Sequence, residues 1–356
     1  LNFLVIRFTN RLSKNEKNEP WALKDGAELL ASYYNKNTET EKLTNVLKMV
    51  EFAFDKEITN ASSLQAVGWL NQIYNLYKNY KLKEDSLRVL KRIQEISKSI
   101  PNELTQHSTP INISKADLDK YISTILSGGI DDALQRIVYE FIPNKEGMKQ
   151  LVLESAKKYP LMSFAAQNIL DKTGRTVATV GAVENDLEGN IILQISRNLH
   201  FSSYLLNGVF FAAVNEKKMT VNDIMSFLEN TPLIENDRKA IIRKGITAYT
   251  NEDYLSAIHL LIPQFEQAMR NLVHLSGGNT YKESRNGGFN LKTFDEILRD
   301  DIILNILGED WVSYFRVLFT DQRGWNLRND VCHGLLGEES FNIVTAERVI
   351  HAILSL

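Results

Sequence analysis

From about residue 40 to 170, apolar positions recur at the three-and-four spacing that places them on one face of a helix. Leu43, Val46, Leu47 and Val50 mark one such face. Leu64, Val67, Leu70, Ile73, Tyr74 and Tyr77 mark the next, and Leu87, Leu90, Ile93 and Ile100 a third. Leu118, Ile122, Ile125 and Leu126 follow, before a Gly128-Gly129 pair suited to stopping a helix. No fixed repeat links these helices, so the pattern predicts an irregular stack of helical hairpins.

The pattern changes between about 171 and 200. Asp171-Lys172-Thr173-Gly174-Arg175-Thr176-Val177 alternates around a glycine turn, and Glu188-Gly189-Asn190-Ile191-Ile192-Leu193 reads as a second short extended piece. Together they predict a small β-hairpin or ordered loop. Helical spacing resumes at Ser203 through Leu205, Leu206, Val209, Phe210 and Val214, and Thr220-Val221-Asn222-Asp223 has the form of a helix cap.

A long helix over about Glu252 to Leu275 carries Leu255, Ile258, Leu261, Ile262, Phe265, Met269 and Leu272 on a broad apolar face, interrupted by Pro263. Beyond Ser276-Gly277-Gly278-Asn279 comes a polar loop with Gly287-Gly288, then helices predicted from Leu291 to Arg299 and from Trp311 to Thr320. Gly324 separates the latter from a last motif-bearing helix. The expected fold is all-α, with an N-terminal helical-hairpin domain at 1–170, a linking region with a short β-hairpin at 171–250, and a C-terminal helical bundle at 251–356.

Composition narrows the function classes. The chain of 356 residues has 41 Lys+Arg against 44 Asp+Glu, a net charge of −3, so no global field attracts nucleic acid or an anionic membrane. The opening run Leu1 to Phe8 is interrupted by Asn2 and Arg7 and is too short for a signal-peptide core or a span, and no later segment approaches about 18 uninterrupted apolar residues. No membrane partner is therefore expected. Leu1 in place of Met reads as a trimmed product. The single cysteine, Cys332, and the lack of a Cys/His cluster with ligand spacing fit a reducing cytoplasm and argue against structural zinc. With no phosphate-binding glycine loop and no dinucleotide fingerprint, no cofactor is expected. The four tryptophans are scattered and read as packing residues, and no basic patch is interleaved with aromatics as in a single-strand groove.

The segment Arg328-Asn329-Asp330-Val331-Cys332-His333-Gly334 carries the chemistry. On a helix, Asn329 and His333 are i,i+4 neighbours and Arg328 can reach round to the same phosphate. Metal-free RNA cleavage needs a base for the 2′-hydroxyl, an acid for the leaving 5′-oxygen and a cation for the pentavalent phosphate. His333 can exchange protons near neutral pH, the Arg328 fork matches two phosphate oxygens, and Asn329 can hold ribose or orient the imidazole. Spacing alone carries little weight: with 16 Arg and 6 His, roughly 0.8 such pairings arise by chance. Around the motif, Glu266 and Arg270 form an i,i+4 pair able to support it or to be an ordinary exposed salt pair, and Asp330 adds a carboxylate. Cys332 reads as a packed structural thiol and His259 as a partly buried helix residue. Arg197-Asn198-Leu199-His200 and Arg270-Asn271-Leu272-Val273-His274 imitate the motif with shorter spacing and no glycine after it.

The block Gly324-Trp325-Asn326-Leu327-Arg328-Asn329-Asp330-Val331-Cys332-His333-Gly334, supported by Leu261-Ile262-Pro263-Gln264-Phe265-Glu266, resembles the HEPN superfamily of helical RNase and nucleotide-binding domains. It looks especially like an uncharacterised bacterial branch with Asn-Leu-Arg-Asn leading into His-Gly. The resemblance covers about residues 250–356. It implies a homodimer whose two motifs face each other in one cleft, single-stranded or looped RNA as substrate, 2′,3′-cyclic phosphate ends, and a toxin or antiviral-defence role. The N-terminal helices would then sense a trigger or hold a regulatory partner. Against this, residues 251–356 hold 9 Lys+Arg and 15 Asp+Glu, a balance that repels a phosphate backbone. The alternative is a non-catalytic dimerisation or nucleotide-binding module in a helical interaction protein.

Overall fold

The computed structural model describes residues 20–105, 112–229 and 231–356, together with Phe3. The opening run Leu1 to Phe8 thus lies outside the described residues, apart from Phe3. The fold is all-α with two small two-stranded sheets. Contacts divide the chain into two units: one falls within Leu1–Thr109 and takes in Leu170–Thr176, and the other comprises Pro110–Ile169 and Val177–Leu356.

In the first unit, helices α1 (Pro20–Lys36), α2 (Thr40–Ile58), α3 (Ser63–Asn79) and α4 (Lys83–Ser97) follow one another through short turns, and a single helical turn, α5 (Ile100–Glu103), closes the run. Consecutive helices pack on each other, as short connections require. The apolar faces of α2 and α3 meet in the core as their spacing predicts: Leu43, Leu47, Val50, Leu70, Ile73 and Tyr77 are all buried. The face of α4 is different. Leu87 and Leu90 are exposed, because Arg88 and Arg92 turn toward α2. There the buried carboxylate of Glu51 accepts from both Arg88 Nη atoms at 2.6 and 2.7 Å, from Arg92 at 3.2 Å and from the Tyr77 hydroxyl at 2.7 Å. A buried carboxylate needs such company, and it dictated the face of α4 over the apolar spacing.

The second unit runs through α6 (Lys115–Ile125), α7 (Ile130–Glu140), α8 (Lys145–Lys158), the turn α9 (Pro160–Ser163), strands β1 (Gln167–Leu170) and β2 (Thr176–Val180), and a helix of 29 residues, α10 (Leu187–Asn215). The second extended piece expected at Glu188 to Leu193 is instead the start of α10. Asp186 caps it by accepting from Gly189 N, and Ile191, Ile192, Leu193 and Ile195 all enter the core. A helix enclosed by neighbours is apolar on several faces, which imitates a strand locally. The partner of β2 lies upstream, in β1.

Then come α11 (Val221–Leu228), α12 (Asn236–Thr250) and α13 (Tyr254–Leu275). Thr220 and Asp223 form the expected capping box of α11. Strands β3 (Tyr281–Glu283) and β4 (Phe289–Leu291) pair antiparallel where the sequence suggested a loop and the start of a helix. The following helix, α14 (Phe294–Leu298), starts later than expected because Thr293 and Glu296 cap it reciprocally. Helix α15 (Asp301–Phe319) is broken at Gly308, whose φ of 78° only glycine adopts readily. The short α16 (Leu327–Cys332) carries the motif, and α17 (Ile343–Leu354) closes the unit.

Every residue of α17 from Thr345 to Leu354 is buried, including Glu347, Arg348 and His351. Arg348 meets no carboxylate within ion-pair range among the described residues; its Nε donates to Ser203 Oγ at 2.9 Å, and Nη2 to Leu199 O at 2.8 Å and Ser202 Oγ at 2.6 Å. Glu347 Oε1 accepts from Asn207 at 2.9 Å and from the Tyr249 hydroxyl at 3.1 Å. Arg348 Nη1 and Glu347 Oε2 have no hydrogen-bond partner among the described residues. His351 Nε2 lies 3.2 Å from the carbonyls of Ile137 and Val138. Those acceptors fix the proton on Nε2, so Nδ1 accepts from the Tyr314 hydroxyl at 2.7 Å. This polar centre ties α17 to α7, α10, α12 and α15. The core around it runs from Ile125 to Leu354 without a break at 170 or 250, so the expected boundaries there do not coincide with gaps in packing. No helix among the described residues is long and apolar enough to cross a membrane.

Candidate functional site

The motif helix is set by the turn that precedes it. Gly324 N donates to Asp321 O at 2.9 Å and Trp325 N to Val317 O at 2.8 Å, folding the chain back on the end of α15. A Cβ at Gly324 would stand 2.4 Å from Val317 O, so no other residue fits that approach. Buried Asp321 braces the turn through Arg323, at 2.8 and 2.7 Å, and more loosely through Arg316. Asn326 then takes a left-handed conformation, φ 51° and ψ 25°, which asparagine tolerates better than most residues. Leu327 anchors α16 in the core with Val331 partly buried beside it. Arg328 and Cys332, one helical turn apart, share a different face.

Arg328 is fastened to α13. Its Nε donates to Glu266 Oε2 at 2.8 Å and its Nη2 to Glu266 Oε1 at 3.3 Å. Arg270 Nη2 donates to the same Glu266 Oε1 and to Lys292 O at 3.3 Å. The Glu266 and Arg270 side chains retain only 9% and 14% exposure and Arg328 25%, so the exposed salt pair weighed from sequence is in fact part of a partly buried three-member cluster with one net positive charge. Burial disfavours the Arg328 cation, yet the hydrogen bond and charge of Glu266 outweigh it and raise its pKa.

Asn329 is tied down on both ends of its amide. Arg328 Nη1 donates to Oδ1 at 3.3 Å, while Nδ2 donates to Asn326 Oδ1 at 2.8 Å and lies 3.4 Å from Thr320 O. Asn326 Nδ2 in turn donates to Asp330 Oδ1 at 2.7 Å. Four of the six candidate residues, Glu266, Arg270, Arg328 and Asn329, therefore form one connected network, and Asp330 joins it through Asn326. The sequence reading missed Asn326, although a lone Asn one position before a helix is a recognisable signal for a left-handed turn.

His333 caps the C-terminal end of α16, its backbone N donating to Asn329 O at 2.9 Å. It is exposed, and its imidazole makes no hydrogen bond among the described residues. Cys332 is exposed rather than packed: α16 is too short to bury more than the side carrying Leu327 and Val331. His259, expected to be partly buried, differs too, and His200 makes a comparable ring contact. His259 is exposed and stacks on Phe341 at 5.0 Å, and His200 stacks on Trp325 at 4.6 Å. The second contact brings the Arg197–His200 segment of α10 against the turn that precedes α16.

Open clefts lie elsewhere in the second unit. One of about 830 Å³ is lined by Lys145, Lys149, Glu188, Leu307 and Trp311, and one of about 650 Å³ by Phe227, Ile306, Trp311 and Leu354. Among the described residues no group of three or more His, Cys, Asp or Glu side chains could hold a metal ion. Compared with protein-family profiles, with curated protein sequences and with solved structures, the chain matches none. The functional reading therefore rests on the motif and its surroundings alone.

Proposed function

We propose that residues 251–356 form a HEPN-like endoribonuclease domain that acts as a homodimer without a metal, cutting single-stranded or looped RNA. The observation that carries this reading is the division of labour in the motif: Arg328 is held side-on by Glu266 and Asn329, while the His333 imidazole is exposed and makes no hydrogen bond among the described residues. A guanidinium held in this way keeps a fixed direction for phosphate oxygens, and a free imidazole can move protons. In the proposed reaction the 2′-oxygen loses its proton to a histidine and attacks phosphorus. The bond to the 5′-oxygen breaks, that oxygen takes a proton from the second histidine, and the ends are a 2′,3′-cyclic phosphate and a 5′-hydroxyl. Each protomer supplies one His333, and Arg328 faces the charge on the phosphorane. Asn329 serves as the brace of Arg328, since its amide is engaged on both sides. A toxin or antiviral-defence role and control through the first unit complete the reading.

A non-catalytic nucleotide-binding or dimerisation module is the second reading. It is favoured by the ion pair that already neutralises part of Arg328 and by the 15 Asp+Glu against 9 Lys+Arg in residues 251–356. The deciding experiment incubates the purified protein with total RNA in excess EDTA and maps the ends. Cleavage that disappears in His333→Ala supports the nuclease; cleavage abolished by EDTA removes the mechanism.

A further inference from the structure

One turn of α10 is held firmly by the buried centre of the unit. Arg348 Nη2 donates to Leu199 O at 2.8 Å and to Ser202 Oγ at 2.6 Å, and its Nε to Ser203 Oγ at 2.9 Å. The donor side chain has no exposed surface, so these bonds make the turn a rigid mount. His200 sits within it. Its imidazole is exposed, yet one face lies on the Trp325 indole, with ring centroids 4.6 Å apart and planes 30° from parallel.

The indole has little else to fix its direction. Its Nε1 is buried and has no hydrogen-bond partner among the described residues, so apolar packing and the His200 contact position the ring. Trp325 immediately precedes the left-handed residue Asn326, and its own backbone N is tied to Val317 O at 2.8 Å. Asn326 Oδ1 accepts from Asn329 Nδ2 at 2.8 Å, and Asn329 Oδ1 accepts from Arg328 Nη1 at 3.3 Å. Contacts therefore run without a break from Arg348 through His200 and Trp325 to Arg328.

We infer that His200 is a positioning residue for the motif: its ring holds Trp325, and Trp325 holds the turn from which Asn329 and Arg328 take their directions. The Arg197-Asn198-Leu199-His200 segment, which imitates the motif in sequence, serves that motif rather than duplicating it. The effect on cleavage rests on the ribonuclease reading; the positioning does not.

The test exploits Cys332, the one cysteine of the chain, which is exposed and stands on α16. A nitroxide attached to it in the whole chain reports by its spectrum how freely α16 moves. His200→Ala is expected to raise the mobile fraction about two- to ten-fold, which is what one ring pair is worth. His200→Phe, which keeps a ring, is expected to restore the immobile spectrum, and His259→Ala, which removes the stack on Phe341, to leave it unchanged. With unlabelled chains and a fluorogenic RNA oligonucleotide, kcat is expected to fall about ten-fold in His200→Ala at nearly constant KM, and to recover in His200→Phe. An immobile label in His200→Ala overturns the positioning role, as does a phenylalanine variant as mobile as the alanine one. Equal loosening in His259→Ala also overturns it, because general softening of the fold would then explain the result. A label loosened only by His200→Ala in a chain that never cleaves upholds the role and defeats the nuclease reading. Cleavage by a chain whose label and kcat both ignore His200 does the reverse.

Discussion

Glu266 Oε2 accepts from Arg328 Nε at 2.8 Å across 62 positions of sequence, and this contact fixes the motif helix against α13. Removing one partner of a buried charge cluster usually costs about 3–5 kcal/mol. Glu266→Ala leaves Arg270 and Arg328 facing each other with no anion between them, so a loss of that order is expected in urea unfolding followed by tryptophan fluorescence. Glu266→Gln retains one acceptor and is expected to lose less. A loss below about 1 kcal/mol in the alanine variant would mean that water serves the two guanidinia as well as the carboxylate does.

His333 presents the opposite case. Its side chain is exposed and makes no hydrogen bond among the described residues, so His333→Ala is expected to change stability by no more than about 0.5 kcal/mol. On the proposed ribonuclease reading, its cleavage rate is expected to fall about 10²–10⁴-fold, the usual worth of a positioned proton-transfer group. A variant that unfolds early, or that cleaves as fast as the parent, counts against the assignment of proton transfer to this residue.

Asn326 holds an unfavourable backbone conformation and two side-chain hydrogen bonds at once. Asn326→Gly relieves the backbone but loses both bonds, at an expected cost of about 1–2 kcal/mol. Asn326→Val adds left-handed strain for a β-branched residue and is expected to cost roughly 1–2 kcal/mol more. Thermal unfolding of the pair of variants reads the difference; equal melting temperatures would exclude backbone strain as a factor.

The polar centre of α17 predicts a pH dependence. Burial, opposed by bonds from Asn207 and Tyr249 and by the charge of Arg348, pushes the Glu347 carboxyl up to about 7. Burial and the Arg348 charge lower His351 to about 3. For Glu347 the folded pKa lies above the unfolded one, so its contribution is complete below about 4.5 and is lost as pH rises toward about 7. For His351 the folded pKa is depressed, so its contribution is present above about 6.5 and is lost as pH falls toward about 3. Between about 4.5 and 6.5 the two slopes oppose and nearly cancel. In Glu347→Gln only the histidine slope remains, so stability relative to wild type should climb across that window. Parallel wild-type and variant curves of unfolding free energy against pH would refute it.

Which of these features the chain displays openly depends on how local their causes are. The helices of the first unit beyond residue 40 and the Thr220 cap follow from spacing within a few residues, and so does the placement of Arg328 and Asn329 on one short helix with His333 at its end. The inward turn of Arg88 and Arg92, the helical state of Glu188 to Leu193 and the exposure of Cys332 depend on distant partners or on neighbouring helices, and spacing reports none of these. The hairpin was half visible: Gly287-Gly288 marked its turn, but three-residue strands are too short for alternation to stand out. The sharing of Glu266 between Arg270 and Arg328 was the least legible, since i,i+4 geometry accounts for only one of the two contacts.

That sharing has a further effect. One carboxylate oxygen serves two rival donors, so whatever loosens Arg270 frees Glu266 to grip Arg328 harder and withholds it from an incoming anion. A ligand that tugs on Lys292 would act in the same sense, and a substitution that strengthens the Arg270 contact would act in the other. Through Arg270, the hold on Arg328 is thus linked to the backbone at Lys292.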